Sequence, residues 1–216
     1  HRASRAEVRE LEVALESAEE TARDRRQEYR AQFRAYREVL TRLGYLRHDH
    51  PTPLGLLAAA VYGENTLLVA QAVAEGWLQG LTTPELCAAL VMLAAEDRNP
   101  DRAPRHRRLP TRRLEDLARQ LRRAQADLQR LETEWGLSES RAPSLDHVGY
   151  VHDWSRGVPL TELQPPPGVD PGDALRATKS CFALARQLEQ GLAGWELQSE
   201  VRAARASLER DLVRRL

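Results

Sequence analysis

The residue types that could do chemistry are few and widely spaced in this sequence. His48, Asp49 and His50 form a short polar run, but it lacks further ligands at the fixed spacing of a zinc site, so we interpret it as a solvated turn. There is also no G-x-x-x-x-G-K-S/T loop, no DExH box and no recognisable Ser/His/Asp or Cys/His spacing. We therefore expect no metal site, no catalytic centre and no nucleotide hydrolysis by this chain alone.

Arginine is concentrated in residues 97–131, where eleven arginines stand against five acidic residues. The tract could bind phosphates. It could also be a solvated loop, which we favour because no aromatic residue lies among the charges to stack on bases. The formal net charge of the chain is zero and Lys179 is the one lysine among 32 basic residues, so arginine content alone is weak evidence for nucleic-acid binding. The arginines of the irregular part are Arg98, Arg102, Arg105, Arg107, Arg108, Arg112 and Arg113.

Composition indicates that helices position these side chains. Apolar residues make up 42% of the chain, aromatic residues 5%, and strand-favouring runs are absent, so we expect an all-α fold. No apolar run approaches the ~18 residues of a membrane span, and no signal peptide is visible. Cys87 and Cys181 lie within helical patterns, as expected of reduced, buried thiols in a cytoplasmic protein. Because the chain begins with His1 rather than Met, we expect it to be part of a longer protein.

Residues 4–43 contain neither Gly nor Pro and predict one long helix. Apolar residues and tyrosines recur every seven positions, as in a coiled-coil seam, although Arg25 and Gln32 interrupt the second row. A seam requires a partner helix. Both a second copy of the chain and a helix outside this sequence would satisfy that requirement. The first row comprises Val8, Leu15, Ala22, Tyr29, Tyr36 and Leu43.

Shorter amphipathic helices are predicted after Gly44, with Gly and Pro at their boundaries. Gln71 lies near the edge of the apolar face of one of them. Thr82 and Glu85 form a capping box with a proline between them, which marks the start of another. The remaining predicted helices span residues 54–62, 64–75, 112–135 and 197–214.

Residues 143–190 predict two helices joined by a short helical turn and a stiff, proline-rich linker. Ser144 can cap the first helix, and Asp170, followed by proline, can cap the second. A stripe on the second helix that need not be buried includes Arg176 and Lys179. The stripe predicted to be buried comprises Leu175, Thr178, Phe182, Ala185, Leu188 and Leu192.

Several stretches, in order, resemble one known family. They are VLTRLGYL, PLGLLAA, ENTLLVAQAVAEGWLQGLTTPELCAALVMLAAE, HVGYVHDWSRGVPLTEL and GDALRATKSCFALARQLE. Together they resemble the DSHCT domain, the C-terminal helical domain of superkiller-type and exosome-associated DExH-box RNA helicases, in a bacterial member. The resemblance covers roughly residues 34–216 and is weakest at 97–142. It implies that residues 1–44 form one arm of a helical stalk and residues 45–216 a helical bundle.

The resemblance implies that the domain closes the RNA channel of an ATP-dependent helicase and contacts single-stranded RNA as it leaves the motor. It places an RNA-contacting arginine at Arg176, in the GD-x-x-R run, and puts Gln71 where the family has an acidic residue. Lys179 lies on the same stripe as Arg176. Trp154 occupies a family aromatic position, although a core role is the favoured interpretation. Arg176 could instead form only an ion pair with Asp173, one turn back.

The resemblance also implies partners and cofactors outside this chain. ATP and Mg would be bound by ATPase domains elsewhere in the parent chain, and this chain itself would hold no cofactor. The implied partners are single-stranded RNA, the helicase core of the parent chain and RNA-degradation machinery, with no membrane. One alternative is a protein-interaction module made of a coiled coil and a helical bundle. Helix-turn-helix DNA binding by residues 144–190 ranks last, because the QPPPGVD linker is longer than the usual turn.

Overall fold

The computed structural model describes residues 5–63, 65–95, 108–137, 140–165 and 167–210. Helices dominate these residues, which confirms the predicted all-α class, and a two-stranded antiparallel ribbon is added to them. The elements are α1 (Arg5–Arg42), β1 (Leu46–Arg47), β2 (His50–Pro51), α2 (Pro53–Ala60), α3 (Thr66–Ala74), α4 (Thr83–Ala94), α5 (Arg112–Glu134), α6 (Val148–Ser155), α7 (Pro171–Gly191) and α8 (Leu197–Leu208).

The ribbon forms where the sequence predicted a solvated turn. His48 and Asp49 both have positive φ, at 50° and 64°, which is the conformation that the central residues of a type I′ hairpin turn require. Arg47 pairs with His50 across the turn. The chain therefore reverses directly after α1 and enters α2, and the polar run keeps its exposed position at the tip.

Helix α4 is the centre of the bundle, and α5, α6, α7 and α8 all pack against it. Residues 85–93 of this helix are all buried, as expected of a helix that is covered on every side. Its predicted capping box is confirmed: the backbone N–H of Thr82 donates to Glu85 Oε2 at 3.0 Å. The hydroxyl of Thr111 donates to the other carboxylate oxygen of Glu85 at 2.7 Å, so the same side chain also anchors the start of α5.

Helix α7 begins as predicted, because Asp170 accepts a hydrogen bond from the backbone N–H of Gly172 at 2.7 Å and Pro171 occupies the first position. Its buried stripe is turned relative to the prediction. Leu175 and Phe182 are half-buried, and smaller residues face α4 and α8 in their place. The buried residues of α7 are Ala174, Ala177, Thr178, Cys181, Leu184, Ala185 and Leu188.

The two cysteines are free and buried, as predicted. Burial raises the pKa of the Cys87 thiol to about 11, and hydrogen bonding by Ser207 offsets only part of this effect. Burial, with a smaller contribution from Cys87, raises the pKa of Cys181 as well. Both thiols therefore stay protonated and behave as packing groups at the contact of α4 with α7 and α8.

Helix α6 starts later than predicted. Its N-cap is His147 rather than Ser144, whose backbone N–H donates to Met92 O at 3.0 Å. The last turn of α4 has carbonyl groups without partners inside the helix, and the segment before α6 satisfies one of them. Ser144 is thus used to join two elements instead of capping one.

The arm is the part of α1 from Val8 to Arg34, in which every side chain is exposed. Among the described residues, only the last turns of α1 pack against other elements, and Val39 forms a small apolar cluster there with Ala35 and Leu137. The guanidinium of Arg42 lies 5.3 Å from the centre of the Trp135 ring and 3.7 Å from the carboxylate of Glu134. These contacts hold the base of the arm against the end of α5.

Some of the sequence predictions concern residues that the structure does not describe. Arg98, Arg102, Arg105 and Arg107 lie outside the described residues, as does the predicted helical range from 211 to 214. Arg113 is described, and its guanidinium donates to Gly80 O at 2.6 Å. Among the described residues, none of the helices has the length and apolar character that crossing a lipid bilayer requires.

Candidate nucleic-acid interface

The predicted unburied stripe of α7 is present at the surface. Arg176 and Arg186 are exposed, and Lys179 and Ala183 are half-buried between them. The side chain of Arg176 is 55% exposed and forms an ion pair with Asp173. An exposed pair at this spacing is worth only about 0.3–0.5 kcal/mol, so an anionic ligand could readily replace it.

A groove of about 740 Å³ lies beside this stripe. One wall is the face of α7 that carries Ser180 and Gln187, and Arg176 lies one turn before Ser180 on the same face. The other walls come from residues 61–63, 65 and 66, the end of α4 and the segment 141–143. Three separate parts of the chain therefore meet along one side of α7.

Side-chain amide groups hold these walls together. The side chain of Asn65 donates to Leu93 O at 3.3 Å and accepts from the backbone N–H of Arg141 at 3.2 Å. Gln187 Oε1 accepts from the backbone N–H of Tyr62 at 2.8 Å, which fixes the turn to α7. Because each bond joins segments that are distant in the sequence, the groove is a preformed feature of the bundle.

The groove favours an anionic ligand. Arg141 is the only charged side chain among the described residues that line it, and the neighbouring helical stripe adds Arg176 and Lys179. The other lining side chains are apolar or are neutral hydrogen-bonding groups. A cationic rim around a neutral groove is a local site of the kind that a chain of zero net charge can still offer to a phosphate backbone.

A second cavity of about 490 Å³ near α6 lacks this character. It contains His152 and Arg156, but the carboxylate of Asp153 lies 3.2 Å and 3.6 Å from them. Glu162 also lines this cavity. Its two lining arginines, Arg108 and Arg156, are matched in number by these two carboxylates, whereas the described lining of the groove beside α7 has one arginine and no carboxylate.

Gln71 does not lie in the groove. On α3 the groove is lined by Thr66 and Val69, and Gln71 is turned about 140–200° from them around the helix axis. Leu67, one turn before Gln71, instead lines a smaller cavity against α1 and α5. The structure therefore does not bring the two predicted contacts, Arg176 and Gln71, to one groove.

Trp154 is a core residue. Its side chain is fully buried, and its indole N–H donates to Leu208 O at 3.2 Å. The guanidinium of Arg210 lies 4.8 Å from the ring centre. The core interpretation is confirmed, and a base cannot stack on this ring without unpacking α6 from α8.

The sequence prediction missed Tyr62, Asn65 and Gln187. They lie in the turn before α3 and near the end of α7, and nothing in their local spacing connects them. The signal that could have found Tyr62 is a tyrosine directly before Gly63, between two helical patterns, where a core position is not expected.

Comparison with known proteins gives a consistent match. The family model of the DSHCT (NUC185) domain matches residues 48–215. The protein named "Probable helicase HelY" of Mycobacterium tuberculosis (strain CDC 1551 / Oshkosh) is 27% identical over 168 residues, which cover 74% of this chain and 18% of that protein. The Mycobacterium leprae (strain TN) protein of the same name is 33% identical over 104 residues, covering 47% and 11%. The chain thus spans about a fifth or less of the length of these relatives.

Proposed function

The chain belongs to the DSHCT domain family, and we propose that it is the RNA-channel domain of an ATP-dependent DExH-box RNA helicase. The name of its mycobacterial relatives supports the helicase assignment. In this proposal ATP and Mg are bound by the remainder of the parent chain, in the cytoplasm, and the bundle contributes a surface for single-stranded RNA as the strand leaves the motor.

The observation that carries the proposal is the position of Arg176. Its guanidinium is exposed and lies one turn from a preformed groove whose only charged lining side chain, among the described residues, is a second arginine. Arginine is the residue best suited to bind phosphate, because its planar donors match the phosphate oxygens. Lys179 adds a further positive charge on the same stripe.

Fluorescence anisotropy with a labelled RNA strand of about ten nucleotides tests this proposal. We expect binding to weaken steeply between about 50 and 200 mM salt, and Arg176→Ala to weaken it further and to lower the salt dependence by about one phosphate contact. Arg130→Ala is the matched control, because Arg130 forms the same i,i+3 pair with Asp127 on the exposed face of α5. Equal affinity of the two variants would overturn the proposal.

The arm supports a proposal about protein partners. We infer that it pairs with a helix of the parent chain's helicase core, since apolar side chains such as Leu11, Leu15 and Phe33 are exposed along it. RNA-degradation machinery is a further proposed partner of the parent protein. No described element covers these side chains.

The same exposed residues favour a second candidate function, a protein-interaction module without a nucleic-acid role. Light scattering separates the two. A tight dimer that dissociates when Leu11 and Leu15 are replaced by lysine would favour the interaction module, because a coiled-coil seam would then be satisfied by a second copy. A monomer that binds RNA would favour the helicase domain.

A further inference from the structure

The side chain of Tyr62 is 79% exposed at the edge of the groove beside α7, although its backbone is held firmly. Its N–H donates to Gln187 Oε1, and the preceding residue, Val61, is buried. Thr66 adds a hydroxyl bond to Gly63 O at 2.8 Å, which closes the turn behind Tyr62. An aromatic ring is thus presented to solvent next to a backbone N–H that is bonded to α7.

We propose that Tyr62 is a stacking platform for an unpaired base, which makes the groove selective for single-stranded over duplex nucleic acid. The proposal rests on the proposed function and adds to it the residue that distinguishes an unpaired base from a paired one. Stacking on an aromatic ring suits any base, because every base has a π-face. A base inside a duplex already has both faces covered and cannot reach the ring unless it is flipped out.

The groups around the ring match the other parts of a nucleotide. Gln187 uses its amide oxygen on the Tyr62 turn, which leaves its amide nitrogen as the donor that it offers to a base or ribose oxygen. Ser180 presents an exposed hydroxyl on the same wall, and Arg141 contributes the positive charge. The groove volume, about 740 Å³, lies within the range of small-ligand sites.

The spacing of the site fits a strand that runs along α7. Arg176 and Gln187 are separated by three turns of the helix, or about 16 Å along its axis. A strand held at Arg176 through a phosphate therefore extends along the helix to reach the Tyr62 ring with a later base. The two contacts are separate in space, so each can be removed without disturbing the other.

The occupant that we argue for is a nucleic-acid strand rather than a protein segment. This groove has a cationic rim and no carboxylate among its described lining residues, which suits a phosphate backbone, and the exposed Tyr62 ring suits a planar base. Charge complementarity to a phosphate backbone is what distinguishes the two classes of ligand.

The test compares Tyr62→Ala, Tyr62→Phe and the control Tyr29→Ala, since Tyr29 is an exposed tyrosine of the arm. Affinity for a single-stranded RNA is measured by anisotropy, and stacking by the fluorescence quenching of a 2-aminopurine in the strand. We expect Tyr62→Ala to weaken binding by about 5- to 100-fold and to abolish the quenching. Tyr62→Phe should retain both, and Tyr29→Ala should leave both unchanged.

The outcomes separate this inference from the proposed function. If the unsubstituted chain binds no single-stranded RNA, both fail. If it binds and Arg176→Ala weakens binding while Tyr62→Ala does not, the proposed function stands and the stacking role of Tyr62 is wrong. A loss with Tyr62→Phe as large as with Tyr62→Ala would show that the hydroxyl, rather than the ring face, makes the contact. A duplex of the same sequence that binds as tightly as the single strand would contradict the selectivity.

Discussion

The arm of α1 and helix α7 are two long helices of the same chain with opposite surroundings. Leu11 in the arm is 68% exposed, whereas Leu188 in α7 is fully buried between neighbouring helices. Both helices have apolar residues at helical spacing, so both were predicted correctly as helices. The periodicity of apolar residues therefore predicts a helix and its apolar face. Which other element packs on that face depends on the tertiary structure.

The charged residues of the two helices also differ in whether they contact other elements. The arm carries acidic and basic residues in similar number along its exposed surface, as solvated helices do. On α7 the carboxylate of Glu189 is instead held by hydrogen bonds from Arg202 and Arg205, which lower its pKa and tie α7 to α8. On the groove side of α7, Arg176 pairs instead with Asp173 of its own helix, and this ion pair is exposed.

The largest expected effect comes from making one substitution in both helices. Leu188→Ala should lower the free energy of unfolding by about 2–5 kcal/mol, because it leaves a cavity in the core. Leu11→Ala should change it by no more than about 0.5 kcal/mol, since that side chain is exposed. Urea unfolding followed by tryptophan fluorescence measures both. A loss of unfolding free energy in Leu11→Ala as large as in Leu188→Ala would mean that Leu11 is packed, and would contradict the contrast between the arm and α7.

A smaller effect is expected at the buried carboxylate of Glu85. Glu85→Gln should cost about 1–3 kcal/mol at neutral pH, because the side chain accepts bonds from Thr82 and Thr111. Burial alone would raise the pKa of Glu85, but the hydrogen bonds from Thr82 and Thr111 and the charge of Arg113 together outweigh it and hold the pKa below its usual value.

The pH dependence of this effect has a definite sign. A lowered folded-state pKa contributes stability above the unfolded-state value of about 4.3, and this contribution is lost as the pH falls through the folded-state value. The difference in unfolding free energy between the unsubstituted chain and Glu85→Gln should therefore shrink in acid. Glu12→Gln in the exposed arm is the control, and a change of similar size there would argue against a specific role for Glu85.

The smallest expected effect comes from removing residues 1–31. Thermal unfolding of the bundle should keep its midpoint, because the first buried side chain among the described residues of α1 is Ala35. Far-UV circular dichroism should report less helix, in proportion to the turns removed. A large drop in the midpoint would show that the arm stabilises the bundle, contrary to its exposure.

The helix starts that were predicted correctly depend on neighbouring residues. Asp170 with its following proline, and Thr82 with Glu85, satisfy backbone groups a few positions away, so the sequence contains the whole signal. The predicted cap at Ser144 is wrong: the backbone N–H of Ser144 anchors its segment to Met92 O, far away in the chain, and the helix begins only after His147. Local rules cannot anticipate a donor that is needed elsewhere.

The groove could not be predicted from spacing. Tyr62 and Gln187 are 125 positions apart, and only the packing of α2 against α7 brings them together. The turned stripe of α7 has a related cause: Ala174 and Cys181 are small enough to let other helices approach closely, whereas the prediction followed the large residues. Arg176 was singled out by the resemblance, and its exposed position agrees with the prediction that its stripe need not be buried.

The clasp of Val39, Arg42 and Trp135 at the base of the arm has a mechanical consequence. From Val8 to Arg34 the arm extends about 40 Å beyond it, so a tilt of about 10° at the pivot swings the tip through about 7 Å. A force applied at the tip of the arm acts on the contact with α5 through a lever of about 40 Å. The arm is therefore a long lever whose short, packed end lies on the bundle.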